Sequence, residues 1–309
     1  MKSVLIFGCN GFVGHYLAKE FKDHDYLVIG SGITEPDNEL LEFVDTYEQL
    51  DILDKDRVSE TIKKICPTFI VNLAAISSVG ASWHIPVDTI EVNVNGSINI
   101  LEAVKEFSIN SKVLLIGSSE EYAVTDSRIS EDNEVNANNP YGISKVTQER
   151  FAELYRKEYG LKIINTRTFN HSGVGQSDVF AIPSFVKQVA EIHNSGKAGV
   201  ISVGNLEVHR DLGDVRDMVS AYRMILESNT NCNVFNVGSG TCYHLEELLH
   251  YIVSLSDQAI EIKVDPLKLR PIDNPIIWCD NSLIRRETGW EPKYTIYDAI
   301  DSMFASMVK

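Results

Sequence analysis

Long apolar runs, paired cysteines, repeats and positive charge are all missing or scarce in this chain of 309 residues. No uninterrupted apolar stretch approaches the roughly 18 residues that cross a bilayer, so no membrane span is expected. The sequence opens on an apolar strand pattern, not on a charged segment followed by an apolar one, so no export signal is expected. The five cysteines, Cys9, Cys66, Cys232, Cys242 and Cys279, are odd in number and scattered without paired short spacings. That excludes a disulfide framework and a zinc site, so no metal is expected and reduced thiols in a cytoplasm are. Lysine and arginine total 28 against 44 acids, a formal net charge of −16. A general nucleic-acid binder carries the opposite sign, which sets that class aside. An anionic ligand then needs a few basic side chains gathered locally against the overall field.

With 44% hydrophobic residues and no low-complexity tract or linker, the chain can bury a large core. Apolar runs bounded by turn residues recur at 3–7, 26–30, 69–74, 112–117 and 161–168. Helical patterns fall between them, near 11–23, 55–65, 86–107 and 139–159. This alternation predicts an α/β fold with a doubly wound parallel sheet. The run Phe69–Ala75 is apolar on both faces, as a central parallel strand requires. Beyond residue 170 the elements become short and irregular, with clustered Arg and Asp. Ligands of such folds bind outside the carboxyl ends of the strands, so this region is expected to close over that edge. The expected division is a dinucleotide-binding part over 1–170, rejoined by 214–240, and a smaller substrate-binding lobe over 171–309.

The first strand runs straight into Gly8-x-x-Gly11-x-x-Gly14, and a helix pattern with Phe12, Tyr16, Leu17 and Phe21 follows. Strand, glycine turn and helix N-terminus together make a pyrophosphate cradle: glycine permits close backbone approach, and free N–H groups and the helix dipole face the anion. Pro140 suits the first turn of a second helix, which sets Tyr141 and Lys145 on one face at i and i+4. A neighbouring ammonium favours phenolate and is expected to lower the Tyr141 pKa from its ordinary value near 10. Ser118 follows the strand 112–117, at the sheet edge where the glycine loop opens, and its hydroxyl is suited to bond a substrate oxygen while Tyr141 moves the proton. Taken singly, Tyr-x-x-x-Lys reads as an exposed helix pair and Ser118 as a helix cap; their company with the glycine turn carries the signal.

These motifs, with Asp51-Ile52, Asn72-Leu-Ala-Ala75 and the closing Thr288-Gly-Trp-Glu-Pro292, resemble the extended short-chain dehydrogenase/reductases that act on nucleotide sugars. The resemblance spans essentially the whole chain. Within that group it is similar to GDP-4-keto-6-deoxy-D-mannose reductases, with the GDP-mannose 4,6-dehydratases as close relatives. The stretches that point there are Gly117-Ser-Ser-Glu-Glu-Tyr122, Arg167-Thr-Phe-Asn-His171, Gly173-x-Gly-Gln176, Val203-Gly-Asn-Leu-Glu207 with Arg210-Asp211, and Leu269-Arg-Pro271. The resemblance implies a Rossmann-type sheet and an NAD(P) cofactor. Gly8, Asn10, Gly11, Phe12, Val13 and Gly14 would hold its pyrophosphate side, Asp51 and Ile52 its adenine, and Leu73, Ala74 and Ala75 its ribose side. Tyr141, Lys145 and His171 would stand on the nicotinamide side. Ser119 and Glu120 would bind substrate, and Asn170, Lys187, Arg210 and Arg270 would contact the sugar diphosphate, with Asn205 facing the base and Asp273 the nucleotide ribose. A homodimer paired through the helices near 86–107 and 139–159 is also implied.

Two departures matter. Ala123 stands where these relatives usually have glycine. At the end of the second strand, Ser31 replaces both the acid that binds an NAD ribose hydroxyl and the arginine that binds an NADP phosphate. Ser31 suits either cofactor, and resemblance alone tilts the choice toward NADP. The expected reaction is reduction of the C4 keto group of a GDP-4-keto-6-deoxyhexose, with Ser118, Tyr141 and Lys145 as catalytic residues. Glu120 sits two residues after Ser118, where the dehydratases carry the glutamate that works at C5 and C6. A GDP-mannose 4,6-dehydratase, or a GDP-hexose or heptose 4-dehydrogenase or 4-epimerase, therefore stays open beside the reductase.

Overall fold

The computed structural model describes residues 2–269 and 274–308. Its first half alternates strand and helix: β1 (Ser3–Phe7), α1 (Phe12–Lys22), β2 (Leu27–Gly32), α2 (Asn38–Leu41), β3 (Thr46–Gln49), α3 (Lys55–Ile65) and β4 (Phe69–Asn72). There follow α4 (Val79–Ser82), α5 (Pro86–Ile90), α6 (Gly96–Phe107), β5 (Lys112–Ser118), α7 (Pro140–Tyr159) and β6 (Lys162–Thr168). The second half contains β7 (Asn170–Ser172), α8 (Ala181–Ser195), β8 (Gly199–Val203), β9 (His209–Asp214), α9 (Val215–Glu227) and β10 (Val234–Val237). It closes with β11 (Cys242–His244), α10 (Leu245–Ser254), β12 (Ile260–Val264), β13 (Ile276–Ile277), α11 (Ser282–Thr288) and α12 (Ile296–Met307).

Seven strands form one sheet in the order β3-β2-β1-β4-β5-β6-β10, with every neighbouring pair parallel. This is the doubly wound, Rossmann-type α/β arrangement. Side chains of successive strand residues point to opposite faces. Val4 and Ile6 accordingly join Leu17 and Phe21 of α1 and Met218 and Tyr222 of α9 on one face. Leu5 and Phe7 join Val58 and Ile62 of α3 and Ile100 and Leu101 of α6 on the other. All four residues of β4 are buried between β1 and β5.

Two features differ from the periodicity. β3 has no apolar run: Thr46, Tyr47, Glu48 and Gln49 are half-buried or exposed, and backbone pairing with β2 makes the strand. The pattern near 86–107 is one rod in three parts, α5, a π-helical turn over Glu91–Asn95, and α6. No helix among the described residues is long and apolar enough to cross a membrane.

In the second half, β9 gathers β7, β11 and β13 into a small sheet, and β8 pairs with β12. These strands share a separate core with α8, α10 and α12. α9 and β10 return to the large sheet, and so does the segment after α11, whose Trp290 is fully buried in the α1–α9 core. The Trp290 indole N–H donates to Asp217 O (3.1 Å) and Ser220 Oγ (3.0 Å), while the Asp217 carboxylate accepts the Lys293 and Tyr294 N–H groups (3.0 and 2.9 Å). Emptying that position leaves a large cavity and removes the indole from two polar partners that keep only their bond to each other (2.8 Å). Trp290→Ala is expected to cost about 3–5 kcal/mol of unfolding free energy. Urea denaturation checks it, and a loss below about 1 kcal/mol would contradict this view of the clamp.

Candidate active site

At the end of β1 the chain turns through Gly8 at φ +76°, in the left-handed region that favours glycine. A Cβ there would stand 2.6 Å from the Ala74 nitrogen, so the turn rides directly on Leu73–Ala75 after β4. A Cβ on Gly14 would stand 2.1 Å from the Cys9 carbonyl oxygen, which fixes the close packing of α1 on the turn. No side chain caps Gly11 at the start of α1. The helix therefore presents its first N–H groups, with Phe12 and Val13 at the opening, which fits a pyrophosphate. Asn10 reaches across to bond Thr34 Oγ1 after β2. Ser31, at the carboxyl end of β2, is fully buried and its Oγ has no hydrogen-bond partner. Asp51 accepts the Leu53 N–H (2.9 Å), and Ile52 is buried against Gly96. His171 on β7 stacks on Phe12 with ring centroids 6.2 Å apart, bringing that strand to the glycine turn. Its Nδ1 lies 3.1 Å from Phe169 O, and burial lowers its pKa, so the ring is neutral.

Across the sheet, β5 ends in Ser118 and a single turn of 3-10 helix over Ser119–Glu121. Ser118 Oγ accepts the Glu120 N–H (3.2 Å), and the Glu121 carboxylate accepts the Ser118 N–H (2.8 Å). α7 begins beside it, capped by Asn139, whose Oδ1 accepts the Gly142 N–H (2.9 Å) and whose Nδ2 donates to Glu120 Oε2 (2.8 Å). One residue therefore sets the helix start and holds Glu120. Tyr141 and Lys145 are both buried on the inner face of α7. Lys145 Nζ donates to the Ile116 carbonyl (2.8 Å) on β5 and to Gln148 Oε1 (3.3 Å), and lies 6.0 Å from the Tyr141 ring centroid.

The expected drop in the Tyr141 pKa is not found. Burial dominates and raises it, Glu121 and Glu120 raise it further, and hydrogen bonding with Ser118 pulls it down. Lys145 does not dominate because burial weakens its own charged form, bringing it down to about 8, and because its ammonium serves Ile116. The chain by itself holds Tyr141 as a neutral phenol.

The residues expected to bind the substrate differ in burial and in partners. Ser119 is buried and its hydroxyl has no hydrogen-bond partner. Asn170 is exposed on β7. Lys187, on α8, is half-exposed and paired with Asp178 (2.6 Å). Asn205 Oδ1 accepts the Glu207 N–H (3.1 Å) in the turn between β8 and β9. Arg210 is buried on β9 and donates to His209 O (2.9 Å) and Pro275 O (3.4 Å). Arg270 and Asp273 lie outside the described residues. No three His, Cys, Asp or Glu side chains among the described residues are gathered to hold a metal ion.

Sequence reasoning missed the buried polar chain behind Lys145. Asn72 Nδ2 donates to Ser97 Oγ (3.1 Å), Ser97 lies 3.1 Å from Gln148 Oε1, and Gln148 meets Lys145. It also missed Glu121, which is fully buried with Oε2 unpartnered. Burial and the nearby Glu149 push its carboxyl up to about 8, against the pull of Ser118, Arg167 and Lys145. No periodicity marks such residues, because polar side chains one turn apart look the same whether solvated or enclosed.

The family described as GDP-mannose 4,6 dehydratase matches residues 5–303. A GDP-6-deoxy-D-mannose reductase of Pseudomonas aeruginosa is 28% identical over 258 residues, covering 82% of this chain and 84% of the relative. A GDP-mannose 4,6-dehydratase of Vibrio cholerae is 25% identical, covering 99% of this chain and 93% of the relative. Among solved structures, RMD from Pseudomonas aeruginosa complexed with NADPH superposes with a TM-score of 0.86 at 25% identity, covering 99% of both chains.

The raised pKa of Glu121 has a consequence for stability. The folded chain holds the carboxyl protonated at pH values where the unfolded chain has released the proton. Its contribution is full below about pH 4.5 and is lost as pH rises toward about 8. Glu121→Gln removes that titration. The variant is expected to gain stability relative to the parent as pH rises from about 5 to about 8, read from urea midpoints at several pH values. Parallel curves would contradict the assignment.

Proposed function

The chain belongs to the GDP-mannose 4,6-dehydratase family, and from that premise we propose that it reduces the C4 keto group of a GDP-4-keto-6-deoxyhexose with NAD(P)H. The observation that carries this reading is Tyr141, buried beside Ser118 at the carboxyl edge of the sheet, in a chain similar over 82% of its length to a GDP-6-deoxy-D-mannose reductase. Carbonyl reduction needs an acid that arrives protonated, and the buried phenol is suited to that role. A reduced nicotinamide cofactor held over the Gly8–Gly14 turn would supply the hydride for sugar C4. Ser118 gives a hydrogen bond to the keto oxygen, and Tyr141 passes its phenolic proton to that oxygen as negative charge builds there. Lys145, held by Ile116 and Gln148, keeps an ammonium near the phenol and favours the phenolate that forms. Arg210, Asn170 and Lys187 belong on the diphosphate side, together with Arg270. Residues 171–309 form the sugar side in this reading. A homodimer is part of it, supported by exposed Val87 and Ile90 on α5 and Ile143 and Leu154 on α7. So is a cytoplasmic setting, in keeping with five free thiols.

Glu120 supports the dehydratase as a second reading. Asn139 holds its carboxylate at the mouth of α7, where it is suited to take the C5 proton while the C6 hydroxyl leaves.

With GDP-4-keto-6-deoxymannose and reduced cofactor, absorbance at the nicotinamide band is expected to fall in step with GDP-6-deoxyhexose formation. Tyr141→Phe should cut turnover by about 10²–10⁴-fold while binding reduced cofactor as the parent does. Water loss from GDP-mannose without cofactor consumption would instead assign the dehydratase.

A further inference from the structure

Between Asp23 and Asp54 the chain carries ten acidic residues and no lysine or arginine. That stretch contains β2, α2 and β3, which form the edge of the sheet beside the glycine turn. In this fold the end of β2 is where the adenosine ribose of a dinucleotide rests. An NADP-type cofactor brings a phosphate monoester there, with nearly two negative charges near neutral pH. Such a group is held by arginine or lysine, through charge and paired donors. The cations that reach this edge are engaged: Lys22 with Asp45 (2.6 Å) and Lys64 with Glu48 (2.8 Å). His15, at the start of α1, turns Nε2 to the Asp37 carboxylate (3.0 Å) and Nδ1 to Gly11 O (3.0 Å).

The neutral donors are engaged as well. Asn10 Nδ2 bonds Thr34 Oγ1, Tyr47 Oη donates to Thr34 O (2.8 Å), and Gln49 Nε2 donates to Ile33 O (3.1 Å). What faces Gly32 is oxygen: a Cβ there would meet Asn10 Oδ1 at 2.1 Å and Tyr47 Oη at 2.5 Å. Glu35 adds its negative charge beside Tyr47. One polar atom at the strand end has no partner, Ser31 Oγ, and it is fully buried. A hydroxyl is neutral, both donates and accepts, and matches another hydroxyl; it cannot balance a phosphate.

We propose that this edge selects by charge, taking the dinucleotide with a free ribose 2′-hydroxyl and rejecting the 2′-phosphate form, so that the chain works with NAD(H). Ser31, buried and neutral, brings no charge to hold a phosphate, and the acidic surround, where Lys22 and Lys64 are already paired, is what excludes it. The inference rests on reading Gly8–Gly14 as a dinucleotide cradle but not on the identity of the sugar. It departs from the tilt toward NADP that resemblance carries, and sets the chain apart from the Pseudomonas aeruginosa structure with NADPH.

The test is equilibrium binding of NADH and NADPH to the full chain freed of nucleotide, followed by nicotinamide fluorescence or calorimetry without sugar. NADH is expected to bind at least about tenfold more tightly, equivalent to about 1.4 kcal/mol. The gap should narrow near 0.5 M salt, roughly, because exposed charges are then screened. Ile33→Arg, on an exposed side chain, should raise NADPH affinity about tenfold and leave NADH within about threefold. Equal or tighter NADPH binding, a gap indifferent to salt, or no NADPH gain in the variant would each overturn selection by charge. Failure to bind either nucleotide would overturn this inference and the cradle reading together, whereas inactivity toward the 4-keto sugar with NADH bound tightly would overturn the sugar assignment alone.

Discussion

A buried ammonium bound to a strand carbonyl organises the site. Lys145 Nζ donates to Ile116 O and so ties α7 to β5 one helical turn beyond Tyr141. Burying a charge is costly unless it is hydrogen-bonded, so this contact and the Gln148 amide are what make an enclosed lysine tolerable. The chain of amide and hydroxyl groups behind it, through Ser97 to Asn72, runs to the carboxyl end of β4, where the glycine turn rests. The glycine turn and the start of α7 are thus braced against each other through one buried polar path. Moving Lys145 would loosen both.

The same enclosure explains why Tyr141 is a neutral acid and not a preformed phenolate. Desolvation acts on the phenol and the ammonium alike, raising one pKa and lowering the other. The acids nearby, Glu120 and Glu121, push in the same direction for the phenol. The surplus of acids seen in the composition therefore reaches into the site itself. It raises the pKa of the phenol, and at the β2 edge it favours a ligand without extra negative charge.

Much of this architecture was legible in the sequence, for identifiable reasons. Strands buried on both faces, such as Val4–Phe7 and Phe69–Asn72, announce themselves by unbroken apolar runs. Gly8 and Gly14 announce a turn because no other residue fits their surroundings. β3 stayed hidden because Thr46–Gln49 is held by backbone bonds, which leave no side-chain pattern. Ser118, Tyr141 and Lys145 were legible only in combination. The burial of Glu121 and the direction of the Tyr141 shift depend on what packs around them, and no spacing encodes that. The pairing of Lys187 with Asp178 at the surface is likewise a contact that no spacing encodes.

The central claim is that hydride reaches sugar C4 at a site built from Ser118, Tyr141 and Lys145. Its most direct test is isotopic: reduced cofactor deuterated at nicotinamide C4, in each of its two stereochemical forms, is incubated with GDP-4-keto-6-deoxymannose. The account predicts that one form, and not the other, delivers deuterium to C4 of the product sugar, seen by NMR and mass spectrometry. Product whose C4 hydrogen comes from solvent, or label recovered at C6, would contradict it.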